Sequence, residues 1–322
     1  MKKWLCFLIA ILTIFAGARL YYRLTDDIRL ANMKYTLPFS SDPAWEMSPL
    51  TEHEYADLKR ILDQKFSYIG KGAQSYAFGS EDGKYVIKFF KFKHLRPAFY
   101  VENLPDFPPF STIKANDFER KKRKLISIYN GYSLAFREHK AGSGIIYLHL
   151  LQTNNLHLQA HIKDKLGFNR TVPLDDVVFL IQKRGETLRT RLNKLLTERR
   201  LLKAQQAIAF IIDMYMTEYR NGMYDRDHGV MYNTGFVGEV PFHLDVGKLE
   251  KDERMREKEF YKKDLTHVLW KMDEWIKRTY PEDYLTLTDF LSQEYKRLTG
   301  EFINLQTVDG TPYIRKGKFF SF

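Results

Sequence analysis

Cysteine is nearly absent from this chain of 322 residues, which has a single one, Cys6, inside an apolar run near the N-terminus. One cysteine excludes a disulfide framework within the chain and any zinc site built on cysteine ligands. The apolar surroundings of Cys6 also argue against a cysteine nucleophile. A Gly-x-Ser-x-Gly elbow is missing too, and the nine histidines show no spacing typical of a zinc enzyme. Neither a serine hydrolase nor a zinc enzyme is therefore indicated.

Acidic residues are in the minority. The chain has 40 Asp and Glu against 51 Lys and Arg, a net charge of +11, which favours phosphate-bearing partners or an anionic membrane surface. Its 44% of hydrophobic residues excludes wholesale disorder. The aromatic residues fall within apolar, strand-like runs, where core packing explains them, and no RNA- or DNA-binding motif occurs. We therefore expect no nucleic-acid partner.

The N-terminus has the pattern of a targeting segment. Lys2 and Lys3 precede an apolar run over residues 4–18, which is shorter than the about 18–20 residues of a full membrane span. A positive start, a short apolar stretch and small residues around Gly17 are typical of a signal peptide. An uncleaved anchor, with the lysines held in the cytoplasm, fits the same residues. We expect residues 1–22 to be a signal peptide or a membrane anchor, and the protein to be membrane-anchored or secreted.

Seven of the eleven prolines lie at or before Pro109, in two clusters. The first cluster predicts an extended linker over residues 23–49, and the second predicts an irregular insertion around residues 97–109. Between the clusters, Thr51 and Glu54 form a capping-box pattern, which predicts a helix that ends near Lys65.

The hydrophobic pattern changes from strand-like to helical along the chain. Asp82-Gly83 predicts a tight hairpin, and helical periodicity begins after Glu186. We expect an α+β fold with a sheet-rich part over residues 50–183 and a helix-rich part over residues 184–322. The predicted strands are 66–70, 76–79, 84–90, 144–151, 158–165 and 177–182, and the predicted helices include 115–141 and most of 255–298.

The predicted helix 115–141 contains a run of four basic residues. Such a run is typical of a solvated helix face, but beside a membrane anchor it would also contact anionic lipid. The residues of this run are Lys121, Lys122, Arg123 and Lys124.

A glycine turn and a strand lysine form the first motif that carries chemistry. Gly70-Lys71-Gly72 lies between two predicted strands, where a backbone without Cβ atoms can approach a phosphate. Lys88 lies inside an apolar strand, and a lysine there costs free energy unless its ammonium group reaches water or meets an anion. A phosphate held under the glycine turn would be such an anion.

Here the residues resemble the protein-kinase-like fold. Gly70-x-Gly72-x-x-Ser75 is similar to the glycine-rich loop of that family, with Ser75 at its third glycine, and Val86-Ile87-Lys88 is similar to the motif of its third-strand lysine. The resemblance implies a two-lobed fold, in which an antiparallel-sheet small lobe is followed by a helical large lobe. The apolar targeting helix would precede both lobes.

Two later motifs match the same family in the expected order. Asp227 followed by Asn233 is similar to the catalytic loop H-R-D-x-x-x-x-N, although Asp225 stands at its histidine and Asn233 comes one position late. Asp245-Val246-Gly247 is similar to the D-F-G motif. The resemblance implies that Asp227 accepts the proton of the attacking hydroxyl group, and that Asn233 and Asp245 hold a magnesium ion. All of these motifs lie within about residues 60–280.

The resemblance also implies the remaining residues of a nucleotide site. Glu138, near the end of a predicted helix, is favoured over Glu119 as the ion-pair partner of Lys88. Gln182 and Arg184 fall at the expected hinge, whose backbone would hydrogen-bond an adenine. The implied cofactors are ATP and Mg²⁺.

The expected function is ATP-dependent phosphotransfer by an atypical member of this family. Only a short segment without Ala-Pro-Glu separates Asp245 from the next predicted helix, so protein, sugar, lipid and other small molecules all stay open as the acceptor. The alternative is a catalytically inactive kinase-like binding module at a membrane. The irregular catalytic loop favours that alternative, whereas the presence of Lys88, Asp227 and Asp245 opposes it.

Overall fold

A computed structural model describes residues 2–40 and 42–308. The described chain divides into two compact units. The first unit contains the residues up to 126 together with 145–184, and the second contains 127–144 together with the residues from 185 onwards. The sequence-based boundary at 183/184 is close to the last division point, but the sequence did not indicate that 127–144 joins the later unit.

Eleven α-helices lie within the described residues. Three short 3₁₀ helices, Pro43–Trp45, Glu253–Arg256 and Leu305–Thr307, accompany them. The α-helices are α1 (Lys2–Thr25), α2 (Leu30–Met33), α3 (Glu52–Leu62), α4 (Phe99–Glu102), α5 (Phe110–Glu138), α6 (Lys140–Ser143), α7 (Leu188–Thr197), α8 (Leu201–Arg220), α9 (Val230–Asn233), α10 (Lys258–Thr279) and α11 (Tyr284–Thr299).

The strands of the described chain form one large sheet and two small ones. The large sheet has seven strands in the order β4-β7-β3-β2-β1-β5-β6; the two small sheets have the orders β11-β10-β8 and β12-β9. The strands are β1 (Lys65–Lys71), β2 (Ser75–Ser80), β3 (Tyr85–Phe90), β4 (Ile145–His149), β5 (Gln159–Lys163), β6 (Asn169–Pro173), β7 (Phe179–Lys183), β8 (Glu186–Thr187), β9 (Met223–Asp225), β10 (Thr234–Val237), β11 (Val240–His243) and β12 (Leu249–Lys251).

The large sheet confirms the expected α+β class and all six predicted strands. It is antiparallel except between β1 and β5, where Lys65 lies opposite His161 and Ser67 opposite Lys163. Its buried face carries apolar side chains such as Phe66, Phe78 and Phe179, which supply the hydrophobic driving force for this unit. The strand β6 was not predicted, because most of its residues are exposed and it lacks an apolar alternation.

Part of the segment 23–49, which the sequence predicted to be an extended linker, is packed against the core of the first unit. Ile28 and Met33 belong to the buried core of the first unit, and Trp45 is only 3% exposed. Their apolar side chains pack against the sheet-bearing unit, so burial fixes a segment that its prolines suggested was extended. The predicted capping box is confirmed: the Thr51 hydroxyl accepts from Glu54 N–H, and the Glu54 carboxylate accepts from Thr51 N–H.

Helices dominate the second unit. The buried faces of α7, α8, α10 and α11 share one apolar core, in which Leu192, Ile211, Leu269 and Leu291 are fully buried. The segment between α8 and α10 contains the short strands β9–β12 and the helix α9, and it carries the predicted catalytic motifs. The fold of this unit therefore places those motifs on short segments that a packed helical core holds in place.

The N-terminal helix α1 extends beyond the apolar run seen in the sequence. Its residues Phe7–Thr25 form a segment long and apolar enough to cross a membrane, and none of that segment is buried. A signal sequence has the same properties, so both readings made from the sequence stay open.

Candidate functional site

In the first unit, β1 and β2 position the glycine turn. The Gly72 N–H donates to the Ser75 carbonyl oxygen at 2.9 Å, and the ammonium group of Lys91 donates to the Gly72 carbonyl oxygen. Burial, together with the nearby charge of Lys71, lowers the pKa of Lys91 to about 8. The glycine turn is therefore held by a hydrogen bond from Lys91, which was not among the site residues predicted from the sequence.

The packing and backbone conformation of the protein do not explain why this turn contains two glycines. A Cβ atom added at Gly70 or Gly72 would meet no other atom within 4 Å, and neither glycine has a positive φ. Neither crowding nor backbone conformation therefore requires glycine at these positions. The open space above the turn is what the close approach of a ligand would need.

The other predicted residues of the first unit lie on the same sheet. Lys88 is half-buried in β3, where it lies opposite Ala77 of β2 and Leu180 of β7. Gln182 of β7 is 3% exposed and lies opposite Val86. The Arg184 N–H donates to the Lys84 carbonyl oxygen at 2.8 Å, just after β7 ends.

In the second unit, the structure brings Asp227, Asn233 and Asp245 together. The Asn233 side-chain amide donates to Asp227 Oδ2 at 3.1 Å. The Asn233 carbonyl oxygen accepts from the N–H of Leu244 at 2.7 Å and from that of Asp245 at 3.3 Å. Asn233 therefore contacts both of the other residues, although it comes one position late in the motif.

A bend at His228 and Gly229 accommodates the extra residue. His228 has a φ of 50°, which is uncommon for a residue with a side chain. A Cβ atom added at Gly229 would lie only 2.4 Å from Asn233 Nδ2. A larger residue at position 229 would therefore displace the Asn233 side chain from its present position beside Asp227. The Nε2 atom of His228 lies 2.5 Å from Asp264 Oδ1, which fixes the bend to α10.

Asp245 is oriented by two donors to one oxygen. Its Oδ1 accepts from the Gly247 N–H at 3.1 Å and from the Tyr132 hydroxyl at 3.0 Å. Burial and the Asp245 charge raise the pKa of Tyr132 well above its ordinary value, so this hydroxyl stays a donor. Gly131 allows α5 to approach, because a Cβ atom there would lie 2.6 Å from the Val246 carbonyl oxygen. Tyr132 lies far from Asp245 in the chain, so no sequence pattern indicated this contact.

Glu138 forms a different ion pair from the one expected. It is exposed at the end of α5, and its carboxylate lies 2.5 Å from the ammonium group of Lys251. Lys251 belongs to the second unit, as Glu138 does, whereas Lys88 belongs to the first. The pairing of Glu138 with Lys88 stays a prediction.

A buried cluster of charged residues was also not predicted from the sequence. Glu218 is fully buried in α8, with His139 Nε2 and His243 Nε2 each 2.9 Å from its Oε1. Burial alone would raise the pKa of Glu218, but the two histidines lower it to about 2. Asp225 is also buried, and this burial raises its pKa to about 6. His243 and Asp225 each lie two residues before a motif residue, Asp245 and Asp227, and Asp225 accepts the Asp227 N–H.

The donor set of the second unit suits a hard cation. Within residues 2–40 and 42–308, no three or more His, Cys, Asp or Glu side chains cluster as a metal site. Asp227, Asn233 and Asp245 instead offer two carboxylates and one amide, and such oxygen ligands are those that Mg²⁺ takes, commonly with substrate phosphates completing the shell.

Comparison with known proteins identifies distant structural neighbours. No protein-family profile matches the chain, and no curated protein does. Among solved structures, it is similar to the bifunctional kinase-methyltransferase WbdD, with a TM-score of 0.34, 12% identity, and coverage of 76% of this chain and 48% of WbdD. It is also similar to Rv3197 from Mycobacterium tuberculosis in complex with erythromycin (TM-score 0.32, 12% identity, 76% and 61% coverage).

A third neighbour is APH(2")-IIa in its ternary complex with streptomycin and ATP (TM-score 0.25, 13% identity, 77% and 91% coverage). This chain thus spans less than half the length of the WbdD structure that it matches.

Proposed function

We propose that this protein is an ATP- and magnesium-dependent phosphotransferase with a two-lobed, protein-kinase-like fold. The observation that carries the proposal is the contact of Asn233 with both Asp227 and Asp245 in the second unit. Under this proposal, Asp227 accepts a proton and Asn233 and Asp245 bind a metal ion, in the chain order that these roles have in the protein-kinase-like fold.

The residues present fit a magnesium ion. Asn233 donates its amide N–H to Asp227, so its amide oxygen is the atom that would bind a metal. Asp245 accepts both of its donors at Oδ1, so Oδ2 is the oxygen that would bind. A bound magnesium ion would neutralise charge on the phosphates during transfer.

The glycine turn fits the phosphates of a nucleotide. The space that a Cβ atom would fill at Gly70 and Gly72 is open, and backbone N–H groups of such a turn are donors to phosphate oxygens. Lys88, with its charge on a strand of the same sheet, would pair with phosphate oxygens, and Ser75 begins the strand that follows the turn. Gln182 and Arg184 would bind the base through their backbone.

Asp227 is the proposed proton acceptor. Its Oδ2 is oriented by Asn233, and its N–H donates to the buried Asp225 Oδ1 at 3.0 Å. The side-chain contact orients the carboxylate and the backbone contact fixes the loop, while Oδ1 is left to receive the proton of an attacking hydroxyl group. Asp225, which stands where the family has histidine, thus acts as a positioning residue.

A second candidate is a catalytically inactive kinase-like binding module. The ion pair between Glu138 and Lys251 favours it, because the family mechanism needs a glutamate that pairs with the strand lysine. Activity, not nucleotide binding, separates the two candidates.

The same proposal includes targeting by α1. The apolar segment Phe7–Thr25 would anchor the protein in a membrane or direct its export. Of the basic run, Arg123 and Lys124 are exposed and would contact anionic lipid, whereas Lys121 donates to the His94 carbonyl oxygen at 2.7 Å. The acceptor of the phosphoryl group is a protein or a small molecule.

The experiment that tests the proposed function measures transfer from radiolabelled ATP, with magnesium, to the full chain or to lysate components. We expect label in a product with the native chain, and a decrease of about 10²-fold or more with Asp227→Asn, because this change removes the proton acceptor. Asp289→Asn, an exposed carboxylate on α11, is the matched control and should transfer normally. No transfer by the native chain would favour the inactive binding module, and equal loss in both variants would refute the role of Asp227.

A further inference from the structure

The end of α1 is bound to two loops of the first unit. Asp26 follows α1 directly, and its Oδ1 lies 2.6 Å from the ammonium group of Lys71 in the glycine turn. Its Oδ2 lies 3.0 Å from the ammonium group of Lys165, in the turn between β5 and β6. Lys165 also donates to the Arg23 carbonyl oxygen at 2.9 Å, within the last turn of α1. The β5–β6 turn therefore contacts the helix that would enter a membrane.

Sheet topology places these loops at one end of the sheet. Because β1 and β5 are parallel, the turn after β1 and the turn after β5 lie at the same end. The turn between β2 and β3, which contains Glu81, lies at the opposite end, since Ser80 pairs with Phe66 near the start of β1. A strand of this length separates the two ends by about 20 Å.

The β5–β6 turn presents apolar side chains outward. Leu166 is 48% exposed and Phe168 is 61% exposed. The turn has a defined shape, because Asp164 Oδ1 accepts from the N–H of both residues at 3.0 Å and Arg170 donates to Asp164 Oδ2 at 2.7 Å. These hydrogen bonds fix the shape of the turn. The side chains of Leu166 and Phe168 are therefore kept in solvent and do not pack against the protein.

We infer that the tip of this turn, residues 164–168, inserts into the interfacial layer of the bilayer that α1 enters. Apolar side chains beside basic ones are the pattern of a surface that binds a membrane interface, and Lys163, Lys165 and Arg170 flank Leu166 and Phe168. The membrane is the partner that the geometry favours, because the tip contacts the end of the membrane-entering helix itself. The inference rests on the anchoring part of the proposed function and not on phosphotransfer.

Site-specific labelling of the full chain in lipid nanodiscs tests this contact. Cys6→Ser removes the single native cysteine, and one new cysteine is then added as Phe168→Cys, Glu81→Cys or Leu12→Cys and labelled with a fluorophore. The bilayer contains lipids that carry a nitroxide quencher near the headgroup. Phe168, Glu81 and Leu12 are all exposed, so the changes should leave the melting temperature unaltered.

We expect strong quenching at positions 12 and 168 and little change at position 81. Quenching at position 12 without quenching at 168 would overturn the proposed contact and leave the anchor in place. Equal quenching at 81 and 168 would also overturn it, because the two sites lie at opposite ends of the sheet. No quenching at position 12 would refute both the anchor and the contact. None of these outcomes depends on whether the protein transfers phosphate.

Discussion

Asp26 is the residue at which the N-terminal helix, the glycine turn and the β5–β6 turn meet. Besides its ion pairs with Lys71 and Lys165, it accepts a hydrogen bond from the Tyr68 hydroxyl at 2.7 Å. Partial burial acts in the opposite direction, but these donors lower the pKa of Asp26 to about 2. The left-handed φ of 51° at Asp26 shows that the backbone is turned to make these contacts.

Replacing Asp26 should therefore give a pH-dependent loss of stability. Because the folded-state pKa lies below the ordinary value of 3.8, the stabilisation is present above that value and is lost as the pH falls towards 2. We expect Asp26→Asn to lower the free energy of unfolding by about 1–2 kcal/mol at pH 7, and this difference should shrink towards pH 3.

Denaturant unfolding of both proteins across this pH range measures the effect. The control is Asp57→Asn, since Asp57 pairs with Arg60 on the exposed face of α3, where a surface ion pair contributes little. A constant difference between Asp26→Asn and the native chain at all pH values would contradict the proposed role of the carboxylate.

At the scale of single residues, the sequence predicted some residues of the candidate site but not others. The motif residues Asp227, Asn233 and Asp245 were predicted, because their order along the chain is itself a signal. Tyr132 and the Glu218 cluster were not, because their partners lie far away in the chain and only the fold brings them together. The sequence around a tyrosine or a glutamate in a helix does not indicate which distant residue its side chain will contact.

At the scale of elements, local patterns were sufficient wherever local residues decide the structure. The strands β1–β3 follow from apolar runs interrupted by Gly and Asp-Gly turns, and α3 follows from its capping box. The strand β6 is held by pairing with β5 rather than by its own composition. The segment 23–49 is held by burial of a few apolar side chains in a distant core. Neither β6 nor the segment 23–49 has a local sequence pattern that predicts its structure, because tertiary contacts determine both.

The glycines of two loop elements give contrasting expectations. Gly70 and Gly72 have open space around them, so an alanine should change the free energy of unfolding by no more than about 0.5 kcal/mol. If the turn binds phosphates, the same changes should weaken binding of a fluorescent ATP analogue, because the added methyl groups fill the space that the ligand needs.

Gly229→Ala is the comparison, since its methyl group would displace Asn233 even without a ligand. This variant should lose both stability and magnesium-dependent binding. Unaltered ATP-analogue affinity in Gly70→Ala and Gly72→Ala would show that the glycine turn does not contact the nucleotide.

At the scale of the whole molecule, nucleotide binding tests whether the predicted residues of both units serve one function. A ligand that binds only the folded state raises stability by mass action, and at about 100 times its dissociation constant the gain is about 2.7 kcal/mol. We expect magnesium and ATP together to raise the melting temperature of the full chain, and ATP with a chelator to raise it less.

Lys88→Met in the first unit and Asp245→Ala in the second should each reduce the shift, because one removes a phosphate partner and the other a metal ligand. The comparison of each variant with its own ligand-free melting temperature separates lost binding from lost folding. A full shift in Lys88→Met would exclude that lysine from the site, and a full shift in Asp245→Ala would mean that the metal is held by other residues.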